Sequence, residues 1–527
     1  RTILRNGLRR RCLCSARTIF HSLLLFFVPK NPGKSAPVAF FGEKVPLGSS
    51  GMAQQGLQYT QSRIPDPGMI VFFTASHVPK HKCTTMEKHM TSLKFSAGIL
   101  ATVLSLGLGL GAADWYVSVH VGNKKNDGSQ SAPLKSIQNA IDKAAPGDVI
   151  HVAGGEYYGR MNCGWIDLKK PLTLIGSYND DFSARDIKST PTCLRPKNEQ
   201  FGSRPTFGTL TINTENLGPQ QAVTIDGFVF DHTRANAYHA TDGKPEGLAA
   251  GRLCIPPEKG NAKSPSIDKA LVNAKTSGTL TISNCLFLNA SNYALLVAHR
   301  EGVVNVVNNV FLGSRNAAAD VRSTNGKPGM VTFNFDHNTA MFSWQQKRDP
   351  DATMGFAVRA NDKTITNITN NILGFNYMSG FDNTKGNDAT KQIRLDNNIF
   401  FCNRVADVTA TMSPNIILLK VEDEDAFSGL EDLECMESVS DNVGMSDPKL
   451  FKGVLDPDYA GAFINLTASE ETDYDENSPM NQWREILGVN KRGKIKIKVS
   501  MYANPYPYDS AIKFFGVVEG RGAQAFK

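Results

Sequence analysis

"VNVVNNVFLG", residues 304–313, places two asparagines inside a stretch that otherwise alternates like a buried β-strand. Asparagine is a poor strand residue, and its amide is costly to bury without partners. The pattern returns as "ITNNILGFN" at 368–376 and "LDNNIFFCN" at 395–403. Further copies are "LTISNCLFLNASNYALLV" at 280–297, "VTFNFDHNTAMFS" at 331–343 and, more weakly, "VTIDGFVFDHT" at 223–233. In each, period-2 alternation leads into Asn, or once Gly227, and then into an apolar or aromatic pair, with a second short strand some residues later.

Aligning Asn284, Asn309, Asn338, Asn371 and Asn398 gives steps of 25, 29, 33 and 27 residues. A repeat in this range signals a solenoid, and short strands without helical periodicity select the β form. Unequal steps put the excess residues in surface loops. The longest insertion lies between Gly227 and Asn284, where "HATDGKPEGLAAGRLCIPPEKGNAKSPS" is rich in Gly, Pro and Lys. Asparagine tolerates the left-handed turn that a coil corner demands, and Gly227 is its natural substitute. Stacked coils bring equivalent asparagines into a hydrogen-bonded ladder, so these five are expected to be structural. Asn308 is expected to be the adjacent turn residue.

Charge is unevenly spread. Residues 1–112 hold 14 Lys+Arg against 3 Asp+Glu, leaving 43 against 47 in the remainder, so the overall +7 belongs to the leader and gives no reason to expect nucleic acid as a partner. From Met86 the chain reads "MEKHMTSLKFSAGILATVLSLGLGLGAADW": a basic start at Lys88 and Lys94, an apolar run from Phe95 to Leu110, and small residues at Gly111-Ala112-Ala113. Residues 86–113 are therefore read as a cleaved signal peptide, with the mature chain starting at Asp114 and no transmembrane anchor left after cleavage. Residues 1–85 are compositionally incoherent and are set aside as upstream or disordered sequence.

Six cysteines fall in the mature part: Cys163, Cys193, Cys254, Cys285, Cys402 and Cys435. An exported chain permits disulfides, and six cysteines allow 15 pairings. Neighbours in a repeat are neighbours in space, so Cys163–Cys193 and Cys402–Cys435 are the expected pairs, with isolated buried thiols the open alternative.

The stretch "DWYVSVHVGNKKNDGSQSAPLKSIQNAIDKAAPGDVIHVAGGEYYG", residues 114–159, resembles the opening of right-handed parallel β-helix proteins of the pectate-lyase-like superfamily. It is most similar to the group that begins with a domain-of-unknown-function 1565 segment. The resemblance rests on the strand at Tyr116, "NDGS" at 126–129, "PLKSIQNAIDKAAPGD" and "VIHVAGGEYYG". It implies an all-β, single-stranded right-handed parallel β-helix over 114–455, with a capping helix after Ser136 and a small C-terminal cap over 456–527. "PLTLIGSY" (171–178) and "GTLTINTE" (208–215) would be successive coils, and "SDPKLFKG" (446–453) the end of the helix.

The superfamily includes polysaccharide lyases and glycoside hydrolases beside binding and structural proteins, so the fold does not choose. A lyase needs a base and a cation beside a uronate carboxylate; a hydrolase needs two carboxylates across the scissile bond. The lyase signatures W-x-D-H and R-x-P-x-x-R are absent from the sequence. Lys124 and Lys125 stand where acids would be expected near Asn126 and Asp127, which reads as a surface turn; calcium remains the one cofactor considered, with no metal ligands assigned.

Two clusters carry the remaining chemistry. Asp320, Asp382 and Asp407 recur in the second strand of several coils, close to Arg322 and Arg359, and stacking would align them at about 4.8 Å per coil. They form the candidate catalytic set. Asp226, Asp231, His232, Arg234 and His239, before the long insertion, form the candidate substrate-binding set. The resulting expectation is an exported β-helix protein, secreted, periplasmic or on the surface of a bacterium, that binds or processes extracellular polysaccharide, acidic chains included, a lyase being favoured over a hydrolase if it is an enzyme. The competing expectation is a non-catalytic surface or matrix solenoid.

Overall fold

A computed structural model describes residues 111–196, 209–233, 270–344, 354–384, 392–410, 418–421, 429–445, 447–456, 460, 483, 485, 486 and 505–526. The expectations for residues 1–85, for nearly all of the signal peptide and for most of the long insertion lie outside them.

One coil shows the whole plan. Gly302 to Val307 forms a strand on the first face. A two-residue corner at Asn308-Asn309 leads to Val310–Leu312 on the second face. A further corner leads to Ala317–Ser323 on the third face, and the chain then returns to the first face one level on, at Val331–Asp336. The apolar pair after each asparagine is thus a strand in its own right, so each coil has three strands. All coil-to-coil strand pairings are parallel. The one exception among the named strands is Leu418–Leu419, which pairs antiparallel with Val408 and Thr409. "GTLTINTE" does not open a new coil: Leu210–Thr214 is the third-face strand of the coil begun at Thr173–Tyr178. Both stretches alternate with period 2, which cannot say which face a strand occupies.

Inside the coils, side chains stack on their equivalents. Phe230, Phe287 and Phe311 follow one another at centroid separations of 5.0 and 4.5 Å. Fully burying one such ring contributes about 2 kcal/mol. Two third-to-first corners are made by Gly278 and Gly302, both at positive φ; a Cβ on Gly302 would lie 2.1 Å from the Gly278 carbonyl oxygen.

The first-to-second corner is built from two asparagine columns. Gly227, Asn284, Asn308, His337, Asn370, Asn397 and Asp441 take positive φ. The next residues, Asn309, Asn338, Asn371 and Asn398, are fully buried. Asn309 Nδ2 donates to Asn338 Oδ1 (3.0 Å) and to the Ile282 carbonyl (3.0 Å), and its own Oδ1 accepts from the Cys285 amide (2.9 Å). The same bonds join Asn371 to Asn398 and Asn398 to Asn442. Asn284 is not in this ladder. It stands one place earlier, in the left-handed column, where Asn308 Nδ2 donates to its Oδ1 (2.7 Å), and Cys285 fills the buried position.

The helix Ile137–Lys143 packs Ile137, Ala140 and Ile141 against the first coils. Ser136 is its N-cap residue, but its side chain makes no capping bond; Asn162 Oδ1 accepts from the Ile137 amide instead (3.1 Å). At the other end Leu430, Cys435 and Met436 close the inner core.

The described part of the C-terminal region does not sit on that end. Phe451, Trp483, Tyr506, Phe514 and Phe515 join the outer side chains of the second face, among them Leu286, Leu312, Ile372 and Phe401, in a separate apolar layer. The last residues run back along the corner: Gly522 N–H donates to the Asn370 carbonyl (2.7 Å), Ala523 N–H to Thr339 Oγ1 (3.0 Å) and Gln524 N–H to Asn308 Oδ1 (2.6 Å).

Cys163 and Cys193 are buried free thiols rather than a disulfide, as is Cys285. Burial pushes Cys163 and Cys285 upward and Cys193 up to about 11. Cys402 and Cys435 lie in different layers, Cys402 outside the second face and Cys435 in the inner core, because adjacency of coils does not bring an outward side chain to an inward one.

Candidate functional site

The third face carries the predicted catalytic set. Its inward positions are apolar: Ala319, Val358, Phe381 and Val408 share one register. The alternate positions point away from the core, and there Leu296, Asp320, Arg359, Asp382 and Thr409 stand on successive coils. Asp320 and Asp382 are nevertheless almost fully buried, at 1% and 0% exposure, and Arg359 is buried too.

The column alternates in sign, Asp–Arg–Asp. Arg359 Nε lies 2.9 Å from Asp382 Oδ2 in an ion pair whose N–H does not point along the contact, and its guanidinium sits 5.0 Å from the Phe356 ring centroid. Thr409 Oγ1 donates to Asp382 Oδ1 (2.8 Å). Arg322, two residues along from Asp320, grips that carboxylate with both Nε (2.8 Å) and Nη2 (2.6 Å). Its side chain is 47% exposed, so it forms the rim of the column while Asp320 forms its floor. Asp320 holds the Arg322 guanidinium well above its ordinary pKa, so it stays a cation. Tyr293 joins the rim: Arg322 Nη2 reaches its hydroxyl at 3.4 Å, and burial, with the Asp320 charge, raises its phenol.

Asp407 departs from the expected alignment. Thr409, not Asp407, lies opposite Asp382. Asp407 accepts from Asn403 Nδ2 (2.8 Å) and the Val421 amide (2.9 Å), which ties the second-to-third corner to the segment that follows. Asn403 belongs to a second asparagine ladder, with Asn376 Nδ2 donating to Asn403 Oδ1 (3.0 Å). That ladder was present in "ILGFN" and "FFCN", at matching distances after the first.

The substrate-binding set does not gather at one place. Asp226 ends a first-face strand, where it pairs with Arg185 and accepts from Ser283 Oγ (2.6 Å) and Asn284 Nδ2 (2.6 Å). Asp231 ends the next strand, on the second face, bonded to Asn289 Nδ2 (2.9 Å) and the Thr233 amide (2.7 Å), and burial raises its pKa. His232 is fully buried between Thr209 Oγ1 (3.1 Å) and Ser291, whose amide donates to Nδ1 (3.2 Å); burial pushes it down to about 3. A short second-face strand separates Asp226 from the other two. Arg234 and His239 lie outside the described residues. At the "NDGS" turn, Asp127 Oδ1 accepts from the Ser129 amide (2.9 Å) and Asn126 Nδ2 donates to the Pro133 carbonyl (2.9 Å). Among the described residues no group of three or more His, Cys, Asp or Glu is placed to hold a metal ion, and no helix is long and apolar enough to cross a membrane.

The geometry defines a parallel β-helix repeat protein with a charged outer column on one face. Its N-terminal part is of a known sequence type: residues 120–242 match the family described as "Protein of unknown function (DUF1565)". No curated protein matches the chain. Among solved structures it is similar to pectate lyase Pel9A, at 15% identity over 56% of this chain and 72% of that one, with a TM-score of 0.27. It is also similar to XylC in complex with xylose, at 9% identity over 56% of this chain and 63% of that one, with a TM-score of 0.24.

Proposed function

We propose that this protein binds an acidic extracellular polysaccharide on its third face. One observation carries the reading. Downstream of Asp226, every first-to-second corner is a residue or two long, whereas the connections that lengthen all border the third face: Asp231 to Val272, Ser323 to Val331, Met341 to Phe356 and Asn383 to Ile393. Loops that vary in length on a rigid scaffold are where ligand contacts accumulate. Between them lies the Asp320–Arg359–Asp382 column, with the Arg322 guanidinium half exposed at its edge. A guanidinium offers a carboxylate two parallel hydrogen bonds, and a uronate repeat supplies the carboxylates.

Binding fits this arrangement better than elimination. A lyase base must give up its proton near the working pH. Arg322 is locked as a cation by Asp320, and Arg359 is set between two aspartates. The same mutual neutralisation favours, as a second reading, a solenoid whose role is structural. Isothermal titration across acidic and neutral polysaccharides, run beside absorbance of unsaturated uronate with and without calcium, separates the readings. Saturable binding to an acidic chain without absorbance growth is expected. Absorbance growth would restore the lyase reading, and no binding to any chain would leave the structural one.

A further inference from the structure

A second site lies at the other end of the molecule, away from the third-face column. A cleft of about 260 Å³ opens beside the first two coils, between Gly154–Glu156, Tyr178–Asp180 and Ser189–Pro191, with His120 on its wall. That volume is slightly below the range of drug-sized ligand pockets and suits one small ring.

Its described lining holds two carboxylates and no Lys or Arg. Glu156 and Asp180 are 49% and 43% exposed. The Glu156 carboxylate meets Arg195 through Oε2 (3.0 Å). Asp180 accepts from Ser118 Oγ at Oδ1 (2.7 Å) and faces His120 Nδ1 at Oδ2 (3.1 Å). Each carboxylate oxygen has two lone pairs, so both groups retain acceptor capacity toward the cleft. The hydroxyl protons around them, and one of the two Asn179 amide protons, are spent elsewhere. Ser189 Oγ donates to Asp186 Oδ2 (2.8 Å), Thr190 Oγ1 to the Ser177 carbonyl (2.9 Å), and Asn179 Nδ2 to Ser183 Oγ (2.9 Å). His151 Nε2 faces Asp114 Oδ1 (2.8 Å) and its Nδ1 the Tyr178 hydroxyl (3.0 Å), which takes up that hydroxyl. The backbone N–H groups of Gly154 and Gly155 go to the Tyr178 and Pro191 carbonyls (2.6 and 2.8 Å).

A ligand that donates protons to these two carboxylates fits such a cleft, and a described lining without Lys or Arg favours a positive charge. We propose that the cleft binds a small polyol carrying a primary ammonium group, the chemistry of an unacetylated amino sugar. The ammonium supplies three donors to Glu156 and Asp180, and the ring hydroxyls supply the rest. His120, on Asp180, is a positioning residue.

Isothermal titration of the full chain with glucosamine, glucose, N-acetylglucosamine and calcium chloride at fixed ionic strength tests this. Glucosamine is expected to bind saturably and at least tenfold more tightly than glucose or N-acetylglucosamine. The Glu156→Gln/Asp180→Asn variant is expected to lose that preference. Equal affinity for glucose and glucosamine, no saturable glucosamine binding, or displacement of glucosamine by millimolar calcium at constant ionic strength would overturn the proposal. The selectivity series on the unmodified protein stands even if the variant does not fold. Failure here leaves the third-face reading untouched, because Arg322 lies outside this cleft.

Discussion

At the scale of single residues, the two asparagines of "VNVVNNVFLG" have different work. Asn309 supplies a buried amide to two backbone groups, and replacing it with Leu strands the Cys285 N–H and the Ile282 carbonyl. Each such loss costs about 1–3 kcal/mol, so Asn309→Leu should lower the unfolding free energy by about 3 kcal/mol in chemical denaturation. An unchanged midpoint and slope would contradict the ladder. The left-handed column obeys backbone sterics instead. His337, at φ 53°, should tolerate Gly within about 1 kcal/mol, whereas His337→Val should cost at least 1–2 kcal/mol more. His232 sets a pH dependence. Its folded pKa of about 3 lies below the unfolded value near 6.5, so the unfolded chain takes the proton first. Its effect is absent above pH 6.5, and stability falls by up to about 1.4 kcal/mol per pH unit from there down to about pH 3. His299, pushed down to about 4, adds in the same direction, while Asp231, raised by burial, offsets part of the loss at the acid end. His232→Asn should flatten the profile between pH 6 and 4; a profile unchanged from the parent would remove His232 as a cause.

At the scale of the element, the repeat was legible because the corner demands a left-handed residue followed by a buried amide, and few side chains serve either need. The register was not fully legible. Asn284-Cys285 offers one asparagine where the coils after it have an Asn-Asn, His-Asn or Asp-Asn pair, and sequence cannot tell which of the two columns a lone asparagine occupies. The third face was harder still. Asp320, Arg359 and Asp382 do align, but the long connection from Met341 to Phe356 hides the spacing, and Asp407 falls two positions from the column although its local sequence resembles that of Asp382. Nor does a charge in an outward strand position announce its burial: Asp382 is wholly buried. The column gives an element-scale prediction. Arg359→Met leaves buried carboxylate without its counter-charge and should cost about 3–5 kcal/mol, while Arg359→Met/Asp382→Asn should recover more than half of that in thermal or chemical unfolding. Equal loss in both variants would show that Arg359 acts through its packing against Phe356 alone.

At the scale of the whole molecule, the outer apolar layer of the second face is completed by the chain's last described residues. Deleting residues 505–527 uncovers the partners of Tyr506, Phe514 and Phe515 and should lower the unfolding temperature by at least about 5 °C while raising binding of a hydrophobic dye. The second face is covered by an apolar layer and the first-to-second corner keeps register, while the third, flanked by the variable connections, is the face we propose for a ligand. The most direct test of that assignment is the affinity of an acidic oligosaccharide, oligogalacturonate, for the parent protein and for Arg322→Gln by isothermal titration. The account predicts saturable binding by the parent and a loss of tenfold or more in the variant, titrated below the unfolding midpoint measured for it, since Asp320 there loses its guanidinium partner. Equal affinity for the two proteins, or no binding by either, would contradict it.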